Sequence, residues 1–293
     1  MYSQIASNKR RSLLFIASFV LLVGGLDYLF ARLFHQPTLF VPILIGAVLY
    51  ALVTYFFSAQ IALGMSGAKE IQKRDAPELY RLVENLSIAA GLPMPKVYII
   101  DDPTPNAFAT GRDPQHAVVA VTSGILQILE KTELEGVLAH ELSHVGNYDI
   151  RFMSVVTALV SVVAVISDLL LRLSFWGGHD DEEGGNNQLL FVLGIVGAIL
   201  APIVAAIIQF AVSRQREYLA DSSGALLTRY PEGLARALEK ISRDDRPMAH
   251  ANSATAPLYI SNPLKGRSLA GLFDTHPPIK ERIRRLREME SKA

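Results

Sequence analysis

Residues 137–149 read V-L-A-H-E-L-S-H-V-G-N-Y-D, and His140, Glu141 and His144 among them stand in the order H-E-x-x-H. On a helix, positions four apart lie one above the other on the same face, so both imidazoles can reach one metal ion. Glu141 follows the first histidine and faces the same cavity, where it can take a proton from water activated by the metal. Zinc brings the pKa of such a water to about 7, which makes a nucleophile available at neutral pH. A carboxylate suits the base because one group must accept the proton during attack on a carbonyl and then pass it to the leaving amine. Two surface histidines on an ordinary helix are the competing reading of the five letters alone.

The chain has no cysteine, which removes disulfides, thiolate metal sites and cysteine nucleophiles. Any transition metal must therefore be held by histidine and carboxylate. The candidate third ligand is Glu217, in the stretch Ser213-Arg-Gln-Arg-Glu-Tyr-Leu-Ala-Asp221 that follows the last apolar run. His144 lies seven residues before Arg151, where an earlier apolar run begins. Glu217 comes about five residues after the last run ends, so at 1.5 Å per helical residue both stand roughly 8–11 Å from the same boundary. Asp221, one turn further, can hold a histidine ring by its distal N–H. Pairing of Glu217 with Arg214 or Arg216 on a surface helix is the alternative.

The elements that must bring these residues together are set by hydropathy. Half of the 293 residues are hydrophobic and the mean hydropathy is +0.27, high for a water-soluble chain. The formal net charge is zero, which argues against nucleic acid as a partner. Four apolar runs predict transmembrane helices at about 13–34, 39–57, 153–171 and 189–212. The first follows Lys9, Arg10 and Arg11 like a signal peptide, but its length and the lack of a small-x-small site favour an uncleaved helix. Asp27 and Arg32 fall near the outer end of the first hairpin, and Asp168 near the far end of the third run, as interfacial residues.

The polar remainder divides into two blocks. In the first, Asp75-Ala-Pro-Glu predicts a helix start capped by Asp75, with Leu79, Leu82, Val83 and Leu86 on one apolar face. Strands are predicted at Lys96–Ile100, Asn106–Gly111 and Ala117–Thr122, with Gly111 to His116 as the turn between the last two. A short helix follows at Ser123–Leu129. Thr132 and Glu135 then have the form of a capping box opening the metal-motif helix. In the second block, Tyr230-Pro231 starts an amphipathic helix with Leu234, Ala237, Leu238 and Ile241 inward. Residues 248–268 read as a long loop. The final helix, from about Pro278 to Glu290, turns Ile279, Ile283 and Leu286 inward and Arg282, Arg284, Arg285 and Arg287 mostly outward.

Basic clusters at Lys9–Arg11, Lys69–Arg74, Arg151 and Arg214–Arg216 mark the cytoplasmic ends of the runs. Both termini and both polar blocks then belong to one side. The expected organisation is a transmembrane hairpin in 1–60, the first part of a catalytic domain in 61–150, a second hairpin in 151–212 and the rest of the catalytic domain in 213–293.

Four segments together, H-E-L-S-H at 140–144, E-Y-L-A-D at 217–221, P-N-A-F-A-T-G at 105–111 and T-H-P-P at 275–278, resemble the HtpX-type membrane zinc metalloproteases, bacterial relatives of the CAAX-prenyl protease. The likeness covers nearly the whole chain. It implies an α-helical integral membrane protein with four transmembrane helices and a mostly α, zincin-like catalytic domain with a small β-sheet. It implies one zinc ion per chain on His140, His144 and Glu217, with Glu141 as general base and Asp221 behind the ligands. His276 would stand near the oxyanion; read from the residues alone, His-Pro-Pro is equally a plain helix start. Asn106, Ala107, Phe108 and Ala109 resemble the edge strand that holds an extended substrate by backbone hydrogen bonds; an ordinary hairpin strand is the plainer reading. His35, His116, His179 and His250 match no motif.

The expected function is a zinc endopeptidase of the bacterial inner membrane, with termini and active site cytoplasmic. It would cut cytoplasmic segments of misfolded or damaged membrane proteins in stress quality control, beside other quality-control proteases as candidate partners. A processing protease with one narrow substrate and a membrane metal sensor or transporter are the alternatives. The latter calls for ionisable residues in mid-membrane, and Asp27 and Asp168 lie near the ends instead.

Overall fold

A computed structural model of the chain describes residues 2–33, 40–176, 196, 214–250, 255–265 and 277–290. It divides into two units, one of Met1–Arg11, Phe57–Ser154 and Val212–Ala293, the other of Ser12–Phe56 and Val155–Ala211. The described residues are mostly helical, with one small mixed sheet.

In the second unit run parts of three helices: α1 (Tyr2–Leu33), α2 (Phe40–Phe56) and α7 (Asp149–Trp176). Val23, Val155, Leu159, Val162 and Val163 form its small core, against which Phe15, Leu44 and Tyr55 pack. Its outward side chains are also apolar, with Leu21 76% and Leu13 67% exposed. The first three predicted runs thus lie on helices, two of which start well ahead of the apolar stretch. The fourth, 189–212, lies outside the described residues apart from Val196. Among the described residues no single helix is long and apolar enough to cross a membrane; the bent pair Leu44–Phe56 and Ser58–Met65 has that length and composition in combination.

The first unit carries the chemistry. Helix α3 (Ser58–Met65) leads to strand β1 (Ala68–Glu70), too short for an alternating pattern to reveal it in the sequence. Helix α4 (Pro77–Ala90) buries Leu79, Leu82, Val83 and Leu86 and ends on Gly91 in the left-handed region. Its N-cap is Ala76 rather than Asp75, whose carboxylate accepts from the Gln72 N–H at 2.7 Å and closes the preceding turn. Strands β2 (Lys96–Ile100), β3 (Ala107–Thr110) and β4 (Val118–Thr122) complete a sheet in the order β1-β2-β4-β3. β2 and β4 are parallel; β1 pairs with β2 and β3 with β4 antiparallel.

β4 is buried along its whole length because both faces of the sheet are covered. Val119 and Val121 face the large core built from α4, α6 (Lys131–Gly146), α9 (Pro231–Ser242) and α10 (Ile279–Glu290). Val118 and Ala120 face a smaller one with Ala59, Leu63, Met248 and Tyr259. α5 (Ser123–Ile128) is capped by Thr122, whose hydroxyl accepts from the Ile125 N–H.

α6 is the centre of this unit, with Val137, Leu138, Ala139, Leu142 and Val145 all essentially sealed from solvent. It opens two residues earlier than the Thr132–Glu135 box would place it. Glu130 is the N-cap and Glu133 its reciprocal partner. The reason is tertiary: the Glu133 carboxylate that accepts from the Glu130 N–H at 2.8 Å also accepts from Lys240 Nζ at 2.7 Å, tying α9 to the start of α6. α8 (Arg214–Thr228) crosses α6 closely, and a Cβ on Gly224 would stand 2.9 Å from the His140 backbone N. α10 corrects one sequence expectation: Arg282 points inward and is fully buried, alongside Leu286.

Candidate metal centre

α6 places His140 and His144 one turn apart, with their Nε2 atoms 3.2 Å from each other. α8 brings Glu217 over both. Its Oε2 lies 3.7 Å from His140 Nε2 and its Oε1 lies 3.5 Å from His144 Nε2. One donor atom from each of the three residues, all within 4.8 Å of one another, makes a group able to hold a metal ion. Three tetrahedral bonds of about 2.0–2.1 Å require donors about 3.3–3.4 Å apart, which the observed separations match to within a few tenths of an ångström. The donor set of two imidazoles and a carboxylate fits zinc. Arg216 lies over the Phe152 ring, 4.4 Å from its centroid.

Each histidine is braced from behind. His140 Nδ1 lies 3.0 Å from Asp221 Oδ1, and His144 Nδ1 lies 3.0 Å from Asp149 Oδ2. A proton on Nδ1, donated to the carboxylate, leaves the Nε2 lone pair aimed at the metal position. Asp149 was not singled out by the sequence, since a turn breaks the helix between it and the motif. α6 ends at Gly146, Tyr148 takes a left-handed φ of 62°, and α7 starts at Asp149. A non-glycine residue held there costs of order 1 kcal/mol, strain of the kind that collects where geometry serves a site.

Arg282, also missed, completes the brace on His140. Its Nε and Nη2 donate to Asp221 Oδ2 and Oδ1 at 2.9 and 2.7 Å. Nη1, 3.7 Å from Glu217 Oε2, has no hydrogen-bond partner among the described residues. One signal was legible: Arg282 falls three residues after Ile279 and four before Leu286, on the apolar stripe. Burial pushes the Asp221 carboxyl upward, but the Arg282 charge and the contact with His140 outweigh it and hold the group below its ordinary range.

Glu141 is buried beside the ligands. Burial raises its pKa above the usual carboxylate value. The histidine charges work against that, Glu217 adds to it, and a hydrogen bond from the Ala109 backbone N–H also lowers it. For His144, burial disfavours the charged ring, but the bond to Asp149 and the charges of Glu217, Asp149 and Glu141 prevail and push its pKa up to about 9 in the metal-free chain.

β3 is the edge strand of the sheet, yet much of its outer side is already engaged. Asn106 Nδ2 donates to the Ser261 carbonyl at 2.8 Å and Asn106 Oδ1 accepts from the Ser261 N–H at 3.2 Å. The Ile260 N–H donates to the Ala107 carbonyl at 2.9 Å, and Phe108 bridges to Tyr259. An incoming peptide therefore meets an edge on which Asn106, Ala107 and Phe108 are already engaged by residues 259–261 of the same chain. Of the expected substrate residues, Ala109 is the one tied to Glu141, through its backbone N–H. His276 lies outside the described residues, as do His35 and His179. His116 and His250 are exposed.

The sequence profile of peptidase family M48 matches residues 73–290. Among curated proteins, the protease HtpX homolog of Tropheryma whipplei (strain Twist) is 54% identical over 289 residues, spanning 99% of this chain and 98% of that protein. The protease HtpX homolog of Ligilactobacillus salivarius is 45% identical over 296 residues, spanning 99% and 100%. Among solved structures, the crystal structure of S. mikatae Ste24p superposes with a TM-score of 0.53 at 20% identity, over 98% of this chain and 67% of that one, a likeness of fold.

Proposed function

The chain belongs to peptidase family M48, and from that premise we infer that it is a membrane-anchored, zinc-dependent endopeptidase. Its substrates are cytoplasmic segments of misfolded or damaged membrane proteins. The observation that carries the metallopeptidase reading is the closure of His140, His144 and Glu217 around one point with Glu141 buried beside them.

Zinc bound there supplies Lewis acidity toward a carbonyl oxygen and toward water. His140, His144 and Glu217 hold it, and Asp221 and Asp149 fix the two rings. Glu141 takes the proton from the attacking water and returns it to the leaving nitrogen. Its burial, which raises its pKa in the metal-free chain, favours the protonated form and so helps the carboxyl carry the proton between water and leaving nitrogen. The Ala109 N–H keeps that carboxylate from turning away, and an extended peptide aligns from Ala109 outward along β3. His276 is the proposed donor to the oxygen on which charge develops.

The apolar outward side chains of the second unit support placing it in lipid, because a surface of that kind is poorly solvated by water. The proposal has four crossings, at about 13–34, 39–57, 153–171 and 189–212. The catalytic blocks 61–150 and 213–293 then face the cytoplasm of a bacterial inner membrane.

The test is cleavage of a defined membrane-protein substrate by the purified full chain, with parallel metal analysis. Glu141→Ala keeps one zinc per chain and loses hydrolysis by at least about a hundredfold. Glu217→Ala loses both metal and hydrolysis. Full activity in a chelator-treated sample, or in Glu141→Ala, would overturn the reading.

A further inference from the structure

The two outer carboxylates of the metal centre are held in parallel ways. Asp221 is gripped by Arg282. Asp149 is gripped by Asn8, from the opposite end of the chain: Asn8 Nδ2 donates to Asp149 Oδ1 at 2.8 Å and to the Asn147 carbonyl at 2.9 Å. Asn8 is 3% exposed, inside α1 and ahead of the first apolar run. Asparagine is an unfavourable residue within a helix, and a buried amide without partners is costlier still. Here both of its N–H groups are used, on the turn that carries the bracing carboxylate.

We propose that Asn8 is a positioning residue of the metal centre, acting through Asp149 on His144. The proposal rests on the zinc reading above. A carboxylate bonded by one oxygen alone can swing about its Cβ–Cγ axis. Asp149 has Oδ2 on His144 Nδ1 at 3.0 Å and Oδ1 on Asn8, so the ring is held by a carboxylate that is itself fixed at both oxygens. The second contact, to the Asn147 carbonyl, holds the turn at Asn147 and Tyr148 that precedes Asp149. The N-terminal segment, which the sequence presents only as a basic flank of a membrane run, thereby becomes part of the catalytic unit 132 residues ahead of the first ligand.

The experiment uses the full chain in detergent and measures zinc affinity by competition with a chromophoric chelator, together with the visible absorption of the cobalt(II)-substituted protein. Asn8→Ala weakens zinc about tenfold, the lower end of what loss of an outer-shell partner does, and alters the cobalt spectrum. Asn8→Asp, nearly identical in shape, sets a carboxylate against Asp149 and weakens zinc at least as much, so the outcome does not hang on whether the alanine variant folds. In an Asp149→Asn background Asn8→Ala has little further effect, because the two act in series. Ala6→Ser, on the exposed side of the same helix, serves as control. Unchanged affinity and spectrum in both Asn8 variants would overturn the proposal, and so would a full additional loss on top of Asp149→Asn. Equal zinc affinity of the unaltered chain and His140→Ala would instead overturn the metal reading beneath it.

Discussion

Replacing Arg282 by alanine tests the buried electrostatics of the centre most directly. The guanidinium is fully buried, donates two hydrogen bonds of 2.7 and 2.9 Å to Asp221, and lies 3.7 Å from Glu217. Alanine removes the cation and leaves the Asp221 carboxylate, 4% exposed, with the His140 contact but no compensating cation among the described residues. Breaking a buried ion pair from one side costs about 3–5 kcal/mol, since the partner left behind stays desolvated and uncompensated. For a catalytic unit of this size that corresponds to a fall in Tm on the order of 10 °C. A metal ion restores part of the missing positive charge, so the fall is larger in the metal-free chain than in the loaded one. Removing both partners as Arg282→Leu with Asp221→Leu destabilises by less than the two single changes added together, because no charge is stranded. The assay is thermal unfolding of the detergent-solubilised chain, stripped and zinc-loaded, for Arg282→Ala and the four proteins of the leucine cycle. A Tm for Arg282→Ala within about 2 °C of the parent in both states would refute the reasoning, as would strict additivity.

Two further outcomes follow from the same geometry. The His144 pKa is raised from 6.5 to about 9 in the metal-free chain, so its contribution to stability is fully present below pH 6.5 and lost as pH rises to about 9. Metal-free protein therefore shows a falling Tm across that window, while zinc affinity, for which the ring must shed its proton, rises across it; a pH titration of both quantities checks the pair. Gly224→Ala puts a methyl group 2.9 Å from the His140 backbone N and forces α8 away from α6 by a few tenths of an ångström. The expected result is about 1–3 kcal/mol of destabilisation with weakened metal binding, read by thermal unfolding and chelator competition.

Much of the centre is legible in the residues taken alone, because its chemistry is local. Two histidines four apart on a helix share a face whatever surrounds them, and a glutamate between them shares their cavity. The apolar stripes of α4 and α9 are equally local, since helical spacing states which side must be buried. Glu217 and Asp221 could be named from spacing and from the resemblance. That they meet the histidines rests on a close crossing of α6 and α8, made possible by Gly224, and only the folded chain displays it.

The remaining parts were decided in three dimensions. Glu133 displaces the Thr132 capping box because a lysine 107 residues away also uses its carboxylate. Arg282 looks like one more solvated cation on a basic helix until Asp221 is placed opposite it. Asn8 and Asp149 stand 141 residues apart, with no periodicity linking them. β3 looks like a free edge until residues 259–261 are seen lying along it. Short-range spacing is written into the sequence because helix and strand geometry repeat. Long-range pairings of single polar groups are not, because one hydrogen bond leaves no pattern, and its partner is chosen only when the core closes around both.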